Sequence, residues 1–366
     1  MTLDAGGTSF RFSALSGSRA VTPVVTMPSH GDDLGLCLAN IVKGFEEIRE
    51  ACPARPAAIS FAFPAPADYP CGIIGDLYNL PGFRGGVALG PMLQEKFQVP
   101  VFINNDGDLF AYGEASCGFL PYVNGLLEAA GSPKRYRNLL GVTLGTGFGG
   151  GIVRNGDLFL GDNSMAGEIW QLRNKLDPGV SVEEGASIRA VRRVYAEEAG
   201  IAMAQAPDPR VIAQIATGDA PGHRAAALEA YRRMGEVVGD ALATALALVD
   251  GLVVVGGGLS NAHRLFLPAV VRELNGTYAP SERTGRRRLE TEVFNLEDAD
   301  ELARFVSGSP CQVTVPLSGA TVRYDRLSRL GVGVTRLGTS QAIALGAYAF
   351  AVRAMSQGGH CVGPAP

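Results

Sequence analysis

Residues 139–161, LLGVTLGTGFGGGIVRNGDLFLG, carry two apolar runs of period-two alternation on either side of a glycine-rich break. The alternation predicts paired strands, and Gly145-Thr146-Gly147 predicts the hairpin turn between them. The chain opens on a second stretch of the same design. LDAGGTSFRFSAL sets apolar residues around Asp4-Ala5-Gly6-Gly7-Thr8, then alternates through Phe10, Phe12 and Ala14. Two hairpins built alike suggest two related halves. The first strand is short, and the natural chain is expected to begin a few residues earlier.

Between and beyond the hairpins the period changes. Leu34, Leu38, Ile41, Val42, Phe45 and Ile48 recur at helical spacing over 32–49. Further helices are predicted near 87–97, after Asp108, and over 181–200, 208–217 and 222–248. Another runs up to Asn275, and an Ala-rich helix closes the chain over 338–355. Buried strands are predicted at 57–63, 99–103 and 252–255. The second of these opens onto Asn104-Asn105-Asp106-Gly107-Asp108, the third onto Gly256-Gly257-Gly258. Segment 68–86 is rich in Pro and Gly, contains Asn79, and reads as a loop held over a site. Segment 276–336 alternates basic loops with strand-like pieces such as 312–315. It reads as an elaboration carrying no chemistry.

Strands interleaved with helices make this an α/β chain, and 366 residues suffice for two lobes with a core each. A hydrophobic content of 46% leaves little room for long disorder. The net charge of -4 gives no global basic field for nucleic acid or an anionic membrane. Arg286-Arg287-Arg288 is flanked by Glu282 and Glu290 and reads as a solvated face. The apolar run 241–259 is broken by Asp250 and glycines, so it reads as a buried helix passing into a buried strand. Six scattered cysteines without C-x-x-C spacing fit reduced thiols. With no export signal ahead of Asp4, a cytoplasmic protein is expected.

The candidate chemistry gathers at strand ends. Glycine at a turn exposes backbone N–H groups to an anion, so the turns at Gly6-Gly7-Thr8 and Gly145-Thr146-Gly147 suit phosphates. Each alone is equally a strained turn with no ligand. Three such turns, with Gly256-Gly257-Gly258 as the third, imply a nucleotide in a cleft between lobes, and Asp4 would hold Mg²⁺ through water. Its alternative is a turn-capping acid. GTGFGG matches a dinucleotide fingerprint in letters but precedes a strand instead of a helix, and no P-loop pattern occurs.

Asp106 stands where a carboxylate can take a hydroxyl proton while Asn105 orients the same substrate. Helix N-capping is the competing role. Glu168 and Glu183 are candidates to accept paired bonds from vicinal sugar hydroxyls, or else are solvated or helix-starting acids. His30, His223, His263 and His360 lack partners at metal-ligand spacing, so no zinc site is expected.

Asp4-Ala5-Gly6-Gly7-Thr8, Asn105-Asp106 with Gly113-Glu114, Gly145 to Gly151, Gly167-Glu168-Ile169 and Gly256-Gly257-Gly258 follow in an order that resembles ROK-family sugar kinases of glucokinase type. The resemblance implies two ribonuclease-H-like lobes of the actin/hexokinase/Hsp70-like superfamily, closing on ATP-Mg²⁺ and a sugar. It implies a small lobe of residues 1–106 closed by 338–366, and a large lobe of 107–337 with the extra segment 276–336. Asp4, Gly6, Gly7 and Thr8 become the first phosphate motif and Gly145, Thr146 and Gly147 the second, while Gly256, Gly257 and Gly258 form the adenosine motif. Asp106 becomes the base for a hexose hydroxyl, with Asn79, Asn105, Glu168 and Glu183 binding the sugar. Gln171 stands where typical members carry His after G-E-x-G, and the cysteines of the family's structural zinc site are missing. Gln171 retains hydrogen-bonding capacity toward the sugar. A homodimer is implied, and the DNA-binding helix pair of ROK repressors is not expected. An N-acetylhexosamine or N-acetylmannosamine kinase and a catalytically silent sugar-binding or regulatory protein are the alternatives.

Overall fold

A computed structural model describes residues 1–6, 8–64, 66–76, 81–278 and 285–357. The first sheet contains β1 (Thr2–Ala5), β2 (Ser9–Ser13), β3 (Val25–Pro28), β4 (Ile59–Ala62) and β5 (Val101–Asn104), in the order β3-β2-β1-β4-β5. The three strands β1, β2 and β3 pair antiparallel, whereas β1, β4 and β5 run parallel. The register sets Asp4 beside Ala62 and Ala62 beside Asn104, so three carboxyl ends finish level. Ligands of open α/β sheets bind at such an edge.

Helix α1 (Leu34–Ala51) starts where the Asp33 side chain accepts the Leu36 N–H at 3.0 Å, and it buries Cys37, Ile41, Phe45 and Ile48. The ring of Phe12 meets Phe45 edge to face at 5.1 Å, and Gly44 leaves the space for it. Helix α2 (Leu89–Phe97) joins the same core. Each large apolar side chain buried here is worth about 1.5–3 kcal/mol.

The second sheet repeats the plan. β6 (Leu139–Leu144), β7 (Phe148–Arg154) and β8 (Asp157–Phe159) form the antiparallel part, and β9 (Leu252–Gly256) pairs parallel with β6. The predicted central hairpin is therefore β6-β7. Two further parallel strands, β10 (Glu292–Asn295) and β13 (Arg329–Val334), complete the order β8-β7-β6-β9-β13-β10.

This corrects the reading of 276–336 as an elaboration, since both strands belong to the sheet. Strand β13 reads poorly as a strand because of Gly331 and Gly333. Those glycines are needed because a Cβ there would stand 2.5 Å from Leu296 and from the Phe119 ring. Within this segment the ribbon of β11 (Pro310–Thr314) and β12 (Thr321–Asp325) lies outside the main sheets, largely exposed. The buried Arg329 pairs with Asp325 at its base at 2.6 Å.

Helices α3 (Asp106–Cys117), α4 (Phe119–Ala129), α5 (Ile188–Ala199), α6 (Pro209–Thr217), α7 (Arg224–Val249), α8 (His263–Leu274) and α9 (Ala299–Ser307) precede the closing helix α10 (Thr339–Ser356). The helix expected over 181–200 is broken. A 3-10 turn at Val182–Gly185 ends before Ser187, whose hydroxyl caps α5 at the Ala190 N–H. Helix α10 packs on α3 and on the first sheet. Side chains at Gly113 or Gly346 would collide with the Ala342 or Leu109 carbonyls, so these glycines let the two helices touch. The buried Glu114 accepts the N–H groups of Phe119 at 2.7 Å and Leu337 at 3.2 Å, tying α4 to the loop that enters α10. Among the described residues no helix is long and apolar enough to cross a membrane.

Candidate functional site

The level edge of the first sheet passes directly into α3. Asn105 is the helix cap, its Oδ1 accepting the Gly107 N–H at 2.7 Å, and Asp106 is the first helical residue. The competing role of Asp106 as the cap therefore falls to its neighbour. The Asp106 Oδ1 also accepts the Gly107 N–H, at 2.8 Å. The side chain keeps access to solvent. Desolvation by the surrounding protein still pushes its pKa above the ordinary carboxylate value, the Gly107 bond opposing and the charge of Asp4 reinforcing the rise. The fold thus brings together Asp4 and Asp106, which lie about a hundred residues apart in the chain.

Of the other acids of the sugar reading, Glu168 comes within charge reach of Asp106. Burial raises the Glu168 carboxyl, the Trp170 indole N–H opposes the rise by donating to Glu168 Oε2, and Asp106 adds to it. Gly167, at φ +85°, packs against the Gly151 backbone and so delivers Glu168 beside β7. Gln171 ends the 3-10 turn Ile169–Gln171 and is exposed. The segment behind it is closed by buried Asn174, whose Oδ1 accepts the Leu176 N–H at 2.9 Å.

Glu183 reaches the second glycine turn, and its Oε2 accepts the Phe148 N–H at 3.0 Å. Thr146 at the tip of that turn is exposed, and the space around Gly145 is open. Gly6 is in the first turn, donating its N–H to Ser9 O at 3.1 Å, and Thr8 follows, exposed. Gly7 and Asn79 lie outside the described residues.

The third glycine cluster divides its labour. Gly256 is buried against the Phe110 ring, and Gly257, at φ +82°, donates its N–H to Thr339 Oγ1 at 2.8 Å. Gly258 has no atom within 4 Å of a built Cβ. It lines a cavity of about 730 Å³ together with Leu259, Asn261, His263, Pro209 and Gln214. A cavity of that volume is in the range that holds a drug-sized ligand.

Some groups were not foreseen. Tyr69 is buried, donates its hydroxyl to the Phe63 carbonyl at 2.9 Å, and meets the Asn105 amide. Its aromatic ring in a Pro-rich loop was the only signal. Asp108, seen only as one of a polar group, is 2% exposed and leaves Oδ1 without a partner. Its carboxyl is pushed well up by burial, then by Glu168 and Asp106. The cavity residues of α6 carry no local motif at all.

A five-stranded sheet of order 3-2-1-4-5 and a six-stranded sheet of order 3-2-1-4-6-5, with acids at the edge of one and glycine turns on both hairpins, define the two-lobed actin-like ATPase class. The match to the ROK family model spans residues 1–291, and the chain belongs to that family. The chain is 51% identical to a solved glucokinase from Parabacteroides distasonis, which covers 96% of both chains at a TM-score of 0.89. It is 26% identical to a glucokinase of Halalkalibacterium halodurans over 77% of this chain and 87% of that one. An N-acetyl-D-glucosamine kinase of Vibrio cholerae is 28% identical over 70% of this chain and 83% of its own length.

Proposed function

We propose that the protein is an ATP-dependent hexose kinase, glucokinase-like, which transfers the γ-phosphoryl group of ATP to a sugar hydroxyl, O6 of glucose or a related hexose. The observation that carries this reading is Asp106 on the first turn of α3, next to Asp4 and in electrostatic reach of Glu168. Asp106 takes the proton of the attacking hydroxyl at its carboxylate, and its raised basicity suits that role better than an ordinary aspartate would. Asn105, Glu168 and Glu183 bind and orient the sugar, with Gln171 and Asn79 as further ligands.

The two glycine turns fit the phosphates of ATP, for the space around Gly145 is open and a side chain at Gly147 would press on Glu183. The cavity beside Gly258 fits the adenine. Asp4 suits Mg²⁺ held through water, being an exposed carboxylate at a strand end with a second acid nearby. When bound, the ion neutralises charge on the transferring phosphoryl group. The glucokinase relatives favour glucose. The N-acetyl-D-glucosamine kinase relatives support an N-acetylhexosamine as the second reading. A homodimer in the cytoplasm completes the proposal.

The test is coupled ADP release with glucose, mannose, N-acetylglucosamine and N-acetylmannosamine, for the wild type and for Asp106→Asn. The expected loss in kcat is about 10²- to 10⁴-fold, with sugar KM near the wild-type value. Equal turnover by the folded variant would falsify the base assignment. Sugar binding without turnover on any of the four selects the catalytically silent reading.

A further inference from the structure

We propose that Trp170 is a positioning residue of the sugar subsite, its indole N–H holding the Glu168 carboxylate in the orientation that accepts a sugar hydroxyl. The proposal rests on the reading of Glu168 as a sugar ligand.

Indole is a hydrogen-bond donor only, so the Trp170 Nε1 contact to Glu168 Oε2 has a single polarity. It occupies one carboxylate oxygen and leaves Oε1 as acceptor. The two residues are fixed relative to each other by a short, rigid turn. Gly167 packs on Gly151, Ile169 is buried, and the Gln171 and Leu172 N–H groups donate to Glu168 O and Ile169 O at 3.1 Å each. Trp170 itself is 39% exposed, so apolar burial does not account for this ring, the one tryptophan of the chain.

The electrostatics make the donor consequential. The charges acting on Glu168 include Asp106 of α3, and Glu168 in turn acts on Asp108 and Tyr69. On the packed 182–185 turn, Glu183 is turned to the Phe148 N–H and Glu184 to Arg189. Strand β7 contributes only the exposed Arg154 at its far end. The charge that reaches Glu168 from α3 is a like charge, and the indole N–H is the group that favours its ionised form.

The experiment compares wild type, Trp170→Phe and Glu168→Gln in steady-state kinetics from pH 5 to 9, with melting temperature as a check on folding. Trp170→Phe keeps a ring and removes the donor. It is expected to raise sugar KM about tenfold, the loss of one charge-assisted bond. The acid limb of kcat/KM is expected to move to higher pH, with ATP KM and Tm unchanged. In the wild type, the emission of the single tryptophan is expected to change on sugar titration. An unchanged sugar KM and acid limb in Trp170→Phe, with a raised KM in Glu168→Gln, overturns this proposal alone. An unchanged sugar KM in Glu168→Gln overturns the reading of Glu168 on which it stands.

Discussion

The Oε2 atom of Glu183 accepts the backbone N–H of Phe148 at 3.0 Å, so an acid of the proposed sugar subsite is fastened to the proposed phosphate turn. A Cβ built on Gly147 would stand 2.5 Å from that same oxygen. The two halves of the proposed reaction thus share one hydrogen bond. Gly147→Ala must displace Glu183 or the turn, and either movement spoils both subsites. We expect kcat/KM to fall by about 10- to 100-fold for sugar and ATP alike, the worth of a bond to a charged group. Steady-state titration of each substrate against saturating partner checks it, and a change confined to one substrate would contradict the coupling.

Asp108 predicts a pH-dependent stability. Its carboxyl is raised in the folded protein by burial and by the neighbouring Glu168 and Asp106, so the folded state holds this proton more tightly than the unfolded chain does. The stabilisation is complete below the unfolded value near 3.9 and is lost as pH rises through the raised folded value. Asn cannot ionise and has nearly the same shape. Asp108→Asn is therefore expected to raise Tm relative to wild type by more at pH 8 than at pH 5. Equal differences at the two pH values would show that Asp108 carries no buried-charge cost.

Gly258 offers a test of the nucleotide end alone. Nothing lies within 4 Å of a built Cβ, so a larger side chain meets no backbone obstacle and enters the cavity beside α6. Gly258→Leu is expected to raise ATP KM about tenfold or more, while sugar KM and Tm stay near the wild-type values. Differential scanning fluorimetry with and without ATP-Mg²⁺ checks binding directly. An unaltered shift would move the adenine elsewhere.

The sequence by itself determined the elements whose signals are local. Helical spacing over 32–49 found α1 within two residues of each end, and alternation around Gly145-Thr146-Gly147 found β6 and β7. The order of the glycine and acid motifs pointed to the ROK family, to which the chain belongs. Those signals suffice because cap, periodicity and turn chemistry act within a few residues.

What the tertiary structure decided depends on contacts between distant segments. Strands β10 and β13 joined the second sheet, where Leu296 and Phe119 fill the spaces that Gly331 and Gly333 of β13 leave, which no local pattern encodes. The 181–200 helix was broken at Ser187, whose hydroxyl caps a separate helix. Tyr69 reached Asn105, and Asp108 came under the charge of Glu168, only through folding across some 35 to 60 residues of chain. Burial and charge proximity are sums over the whole molecule. The sequence therefore named the acids, and the folded chain decided which of them face one another.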